Sequence, residues 1–90
     1  MKNISDYDFY DSWQPIELGL KPGLDYDVLM DLCELKKGTK VQFSGFCDID
    51  NHYGVFVFTD MNGELLEVRG DFSTSKHSSF INLRAALKNV

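Results

Sequence analysis

The chain is expected to fold as an α+β, mostly β domain: a strongly curved antiparallel meander of four or five strands, closed by a C-terminal helix. Three observations predict it. Residues 24–32 alternate apolar and polar side chains with a period of two, the mark of a half-buried strand. Asn62-Gly63 stands between two apolar runs, a strong hairpin signal because both residues accept positive φ. Phe80, Leu83 and Leu87 follow a helical spacing near the C-terminus. Consecutive strands with short connections make a meander the default topology.

The elements follow in order. At 90 residues the chain makes one domain, read as an N-terminal arm over 1–14, a β-meander over 24–70 and a helix over 79–88. The arm alternates acids with rings, Asp6-Tyr7-Asp8-Phe9-Tyr10-Asp11-Ser12-Trp13, and has no helical period. It either lays its rings on the domain or offers them to a partner. After the Pro22-Gly23 turn signal, Leu24, Tyr26, Val28, Met30 and Leu32 form the apolar face of a first strand. Asp25, Asp27 and Asp31 lie on its other face, where their mutual repulsion directs them to solvent or to a cationic partner. Lys36–Lys40 is a turn, and a second strand runs over 40–48 with Val41, Phe43, Gly45 and Cys47 on one face and Gln42, Ser44 and Phe46 on the other. Gly45 in mid-strand predicts a bulge or sharp bend.

The strand over 54–60 is apolar on both faces and belongs at the centre of the sheet. A two-residue turn at Asn62-Gly63 would set Val57 opposite Val68 and Thr59 opposite Leu66 on the core side. Phe58 would then face Glu67, and Phe56 would face Arg69. A different loop type would slip this register and exchange the faces. Residues 71–79 are polar loop, and Ser78 or Ser79 caps the helix, with Arg84 and Lys88 near its C-terminus.

The stretch Cys47-Asp48-Ile49-Asp50-Asn51-His52-Tyr53-Gly54 gathers a thiol, two carboxylates and an imidazole. As a calcium loop it fails: Tyr53 stands where glycine belongs, Thr59 where the bidentate glutamate belongs, and a strand follows instead of a helix. Cys33, Cys47, His52 and His77 show no short zinc-ligand spacing, so no metal site is predicted. Cys47 lies on the apolar face of its strand and is expected to be inert. The stretch reads as a loop between strands, with Asp and Asn as turn formers. Cys33 and Cys47 are expected to be buried free thiols, although a bridge between neighbouring strands is the other option. No phosphate loop, nucleophile elbow, zinc-protease or dinucleotide motif is present, and neither enzymatic activity nor a cofactor is expected.

The net charge of −5 is uneven, −6 over residues 1–34 and +1 over the rest. That balance disfavours nucleic acid and favours a basic protein partner. No segment reaches the length of a membrane span and the N-terminus carries no signal-peptide pattern, so a cytoplasmic protein is expected.

From Ile16 onward, "LKPGLDYDV", "KKGTKVQFSGF" and "YGVFVFTDMNGELLEVRG" resemble a little-characterised family of small bacterial β-rich domains of unknown function. The resemblance covers roughly residues 16–70 and rests on turn glycines and strand apolars. It implies a small, SH3-like, strongly bent barrel. It implies no activity and transfers no site residue.

The leading functional expectation is a non-catalytic protein-binding module, for example a small acidic inhibitor or immunity-type protein that masks a basic partner. Its contact residues would be Asp25, Asp27 and Asp31, with Tyr7, Tyr10 and Trp13 as anchors. The alternative is a small-ligand-binding or homodimeric structural domain that uses an aromatic sheet face of Phe46, Phe56 and Phe58 with Arg69. A third option is unrecognised catalysis around His52, Cys47 and Asp50, or a basic groove of Lys36, Lys37, Lys40 and Arg69.

Overall fold

The computed structural model describes residues 3–9, 11–48 and 53–89. Among them, five strands form one antiparallel sheet, and the domain is α+β and mostly β. The strands are β1 (Asp25–Val28), β2 (Lys40–Asp48), β3 (Tyr53–Asp60), β4 (Leu65–Asp71) and β5 (Leu87–Asn89). The helices are α1 (Trp13–Leu18) and α2 (Ser78–Ala86), preceded by a 3₁₀ turn at Ile4–Asp6. In space the strand order is β4-β3-β2-β1-β5. The first four strands are the expected meander. The chain then crosses back through α2 and lays β5 on the free edge of β1, where Val28 pairs with Leu87 and Tyr26 with Asn89. The sheet stays open, with β4 and β5 as its edges.

Four details depart from the sequence reading. First, β1 ends at Val28, not at Leu32. Val28 is held by both its backbone groups to the 38–39 turn, its N–H on Thr39 O and its carbonyl receiving Gly38 N–H, each at 2.9 Å. Beyond it the chain leaves the sheet. Leu32 and Leu35 then bridge each other across Cys33-Glu34, a tight turn with Cys33 at φ 52. The alternation through Leu32 reflects burial without strand pairing: Leu35 is fully buried and Leu32 packs on the core.

Second, β2 carries its bulge between Phe43 and Gly45. The extra residue inverts the alternation, so Phe43 and Phe46 share the inner face and Cys47 turns to the outer one. Third, the β3–β4 loop has three residues. Gly63 N–H donates to Asp60 O at 3.1 Å, Asp60 N–H donates to Glu64 O at 2.9 Å, and Gly63 adopts φ 84. This is a type I turn followed by a left-handed glycine. Asp60 Oδ1 secures it by accepting from the N–H groups of Asn62 and Glu64. The longer loop slips the register by one: Phe56 faces Val68, Phe58 faces Leu66 and Val57 faces Glu67. Fourth, α2 stops at Ala86, and Leu87, expected in the helix, opens β5. Its N-cap is His77, whose Nδ1 accepts from Ser79 N–H at 3.1 Å, in place of the expected serine.

These shifts put the large rings on one face. Phe43, Phe46, Phe56 and Phe58 lie beneath α2, which contributes Phe80, Leu83 and Ala86. Phe56 meets Phe46 and Phe72 with ring centroids 4.6 Å apart in tilted and edge-on geometry. Such pairs add about 0.5–1.5 kcal/mol each beyond area burial. The second face carries Val55, Val57 and Cys47, with Tyr7, Phe9 and Leu65 packed on it. No helix among the described residues is long and apolar enough to cross a membrane.

Candidate protein-binding surface

The N-terminal segment is positioned by both faces of the sheet. Tyr7 and Phe9 stack on each other at 5.5 Å and cover the outer face. Phe9 lies flat on Gly45: a Cβ there would sit 2.5 Å from Phe9 Cγ. Gly45 thus serves the arm as well as the bend. Tyr7 Oη donates to Glu67 Oε2 at 2.5 Å, and Arg69 Nε donates to Glu67 Oε1 at 2.9 Å. Burial first, then the hydrogen bond to Glu67, raises the Tyr7 phenol well above its ordinary range. The same carboxylate, through its hydrogen bond, raises the Arg69 guanidinium.

The chain then passes the bulge of β2 and forms α1, an element absent from the sequence reading. Its signals were present: Ser12 at the N-cap position, Pro15 in the first turn and Gly19 at the end, where φ is 73. Gln14 is the buried polar residue of α1, its Nε2 donating to Phe72 O at 3.2 Å and its Oε1 accepting from Ser12 Oγ. Tyr26 ties the helix end to β1 by donating to Gly19 O and accepting from Lys21 N–H.

The opposite side of α1 faces solvent. Trp13 stacks on Phe80 at 5.6 Å, nearly parallel, yet remains 46% exposed. Ile16 is 77% exposed. The exposed acids Asp6, Asp8, Asp11 and Glu17 lie in the same segment, and residues 3–20 hold no lysine or arginine. The arm therefore both packs and presents: Tyr7 and Phe9 are committed to the fold, and Trp13 is held half open. Tyr10 lies outside the described residues.

The expected acidic strand face is only partly assembled. Asp25 and Asp27 share the side of β1 opposite Tyr26 and Val28. Asp27 has Lys40 on β2 and Lys88 on β5 as cross-strand neighbours, so cations already flank it. Asp31 lies beyond the strand and accepts from Lys37 N–H at 2.8 Å. The reason is the early end of β1.

The aromatic sheet face does not form as an open surface. Phe46 is 1% exposed, and Phe56 and Phe58 are fully buried under α2, while Arg69 projects on the other side with Glu67. The register slip and the bulge together bring this about. Cys33 is exposed at its turn, against expectation, with Sγ 4.0 Å from Arg69 O, while Cys47 is buried; no disulfide joins them. Asp50 and His52 lie outside the described residues. Among the described ones, no three His, Cys, Asp or Glu side chains converge as a metal site would need.

The chain matches no family model, no curated protein and no solved structure.

Proposed function

We propose that the chain is a non-catalytic protein-binding module that engages a basic protein partner through the surface of residues 3–17, centred on Trp13 and Ile16. The observation that carries this reading is the pairing of exposed large apolar side chains with exposed acids in a segment free of cations. Acids around an apolar centre steer a cationic partner and hold it in register. Desolvated aromatic anchors then provide most of the affinity. Trp13 suits that role because its ring is already fixed on Phe80, so little side-chain freedom is lost on docking. A small acidic inhibitor or immunity-type protein is the kind of molecule this describes.

We read the architecture as a small SH3-like barrel, in line with the resemblance of residues 16–70. Two contacts support that reading at the open edge of the sheet. Glu34 Oε1 accepts from Glu67 N–H at 2.7 Å, and Cys33 Sγ reaches Arg69 O, so the β1–β2 connection covers the outer edge of β4.

The test is capture of partners from the native host's lysate at low and high salt, with the wild-type chain and with Asp8→Lys/Asp11→Lys/Glu17→Lys. A basic protein that is held by the wild type, eluted by salt and lost with the triple variant supports the reading. Capture that is indifferent to both salt and charge reversal would rule it out.

A further inference from the structure

Beside the exposed face of α1 runs a groove of about 460 Å³, lined mainly by Phe9, Pro15, Ile16, Leu20, Pro22 and the bulge of β2. Its origin is topological. β1 and the two residues before it accompany only the first part of β2, with backbone hydrogen bonds as far as Phe43. The bulge then bends β2 away, and the passing N-terminal segment leaves a trough between itself and the 20–22 stretch. The volume falls within the range of sites that take one organic group. The floor is apolar, Asp11 lies on the rim, and Asp8 and Glu17 are exposed nearby in sequence; Lys21 is the one cation among the lining residues.

We infer that this groove takes one large apolar side chain of the partner, leucine or phenylalanine, carried on an extended segment with lysine or arginine on both sides of it. The inference rests on the basic-partner reading and adds to it the recognition element. Charge complementarity selects the occupant. An apolar group alone would leave Asp11 on the rim unmatched, and a purely basic segment would leave Ile16, the most exposed large hydrophobic among the described residues, uncovered. A cation flanking the inserted side chain would meet Asp11 on the rim.

The experiment titrates the ¹⁵N-labelled full chain with two capped peptides, Lys-Lys-Phe-Lys-Lys and Lys-Lys-Ser-Lys-Lys, at low and high salt. The expected result is a Kd for the phenylalanine peptide about tenfold or more below that of the serine peptide. The largest amide shifts should fall on Ile16, Gly45 and the residues around Gly23. Ile16→Ser, a substitution at an exposed site, should remove most of the difference between the peptides, and Lys21→Glu should tighten both. Equal, salt-sensitive binding of the two peptides would overturn the groove inference and leave the basic-partner reading standing. No binding of either at low salt would overturn both. Shifts confined to other parts of the surface would overturn the groove.

Discussion

Gly45 has three constraints on one residue. It follows the extra residue of the bulge, its backbone runs beneath the Phe9 ring, and any Cβ would lie within 2.9 Å of three Phe9 ring atoms. Gly45→Ala should therefore cost about 1–3 kcal/mol, the usual range for overpacking. In a Phe9→Ala background the same substitution should cost close to nothing. Urea denaturation of the four proteins of this cycle gives the coupling directly; additive losses would mean that the ring is not the obstacle. Tyr7 makes a second prediction. Its phenol is raised by burial and by its bond to Glu67, so the folded state holds the proton more tightly than the unfolded chain does. The stability from this difference is fully present below a pH of about 10 and is lost as the pH rises above it. Urea melts across the alkaline range check this: Tyr7→Phe should lose less stability than the wild type as the pH rises above about 10.

Among the elements, α2 is the short piece on which the inner face depends. His77 supports its start by accepting the Ser79 N–H, a role its ring can fill only while Nδ1 is unprotonated. His77→Ala should cost about 1 kcal/mol, the common value of an N-cap. For a domain of this size that is a fall in Tm of roughly 4–8 °C. His77→Asn, which restores a capping acceptor, should recover most of it; equal Tm values for the alanine variant and the wild type would show the cap to be idle. The β3–β4 hairpin shows how one loop residue governs a whole strand. Asp60 and Gly63 together select three loop residues where two were expected, and every residue of β4 meets a different partner on β3. Asn62-Gly63 announces a hairpin, but its length depends on whether Asp60 caps the turn, a contact that residue types alone do not decide.

In the molecule as a whole, the packed side and the presented side meet at one stack. Phe80 is fully buried between Trp13 and Phe72, with the Arg84 guanidinium 5.5 Å from its centroid. Phe80→Ala should cost about 3–5 kcal/mol, a large share of the roughly 5–15 kcal/mol typical of a domain. It should also release Trp13, the chain's single tryptophan, so its fluorescence reports the loss. Trp13→Ala should cost clearly less, because the indole is 46% exposed, while abolishing partner capture. Full capture by a folded Trp13→Ala protein would remove Trp13 from the binding surface.

Local chemistry was enough to place four of the strands, the bulge near Gly45, the interior position of β3 (next to the edge strand, with β2 at the centre) and a helix packed on the sheet. Each of these follows from periodicity or from a glycine's freedom, which act over a few residues. The acidic, cation-free character of the N-terminal segment was equally legible, because net charge is additive along a chain. Which side chains share a face was not. The bulge at residue 44 sets Phe43 and Phe46 on one face beside Phe58 and Phe56, and one more loop residue at 61–63 brings Leu66 and Val68 to that same face. Whether Tyr7 and Trp13 pack or stay open was likewise settled by distant partners, Glu67 and Phe80, brought near only when the sheet and α2 are assembled. Contacts between residues this far apart in sequence leave no periodic trace, which is why the tertiary packing had to supply them.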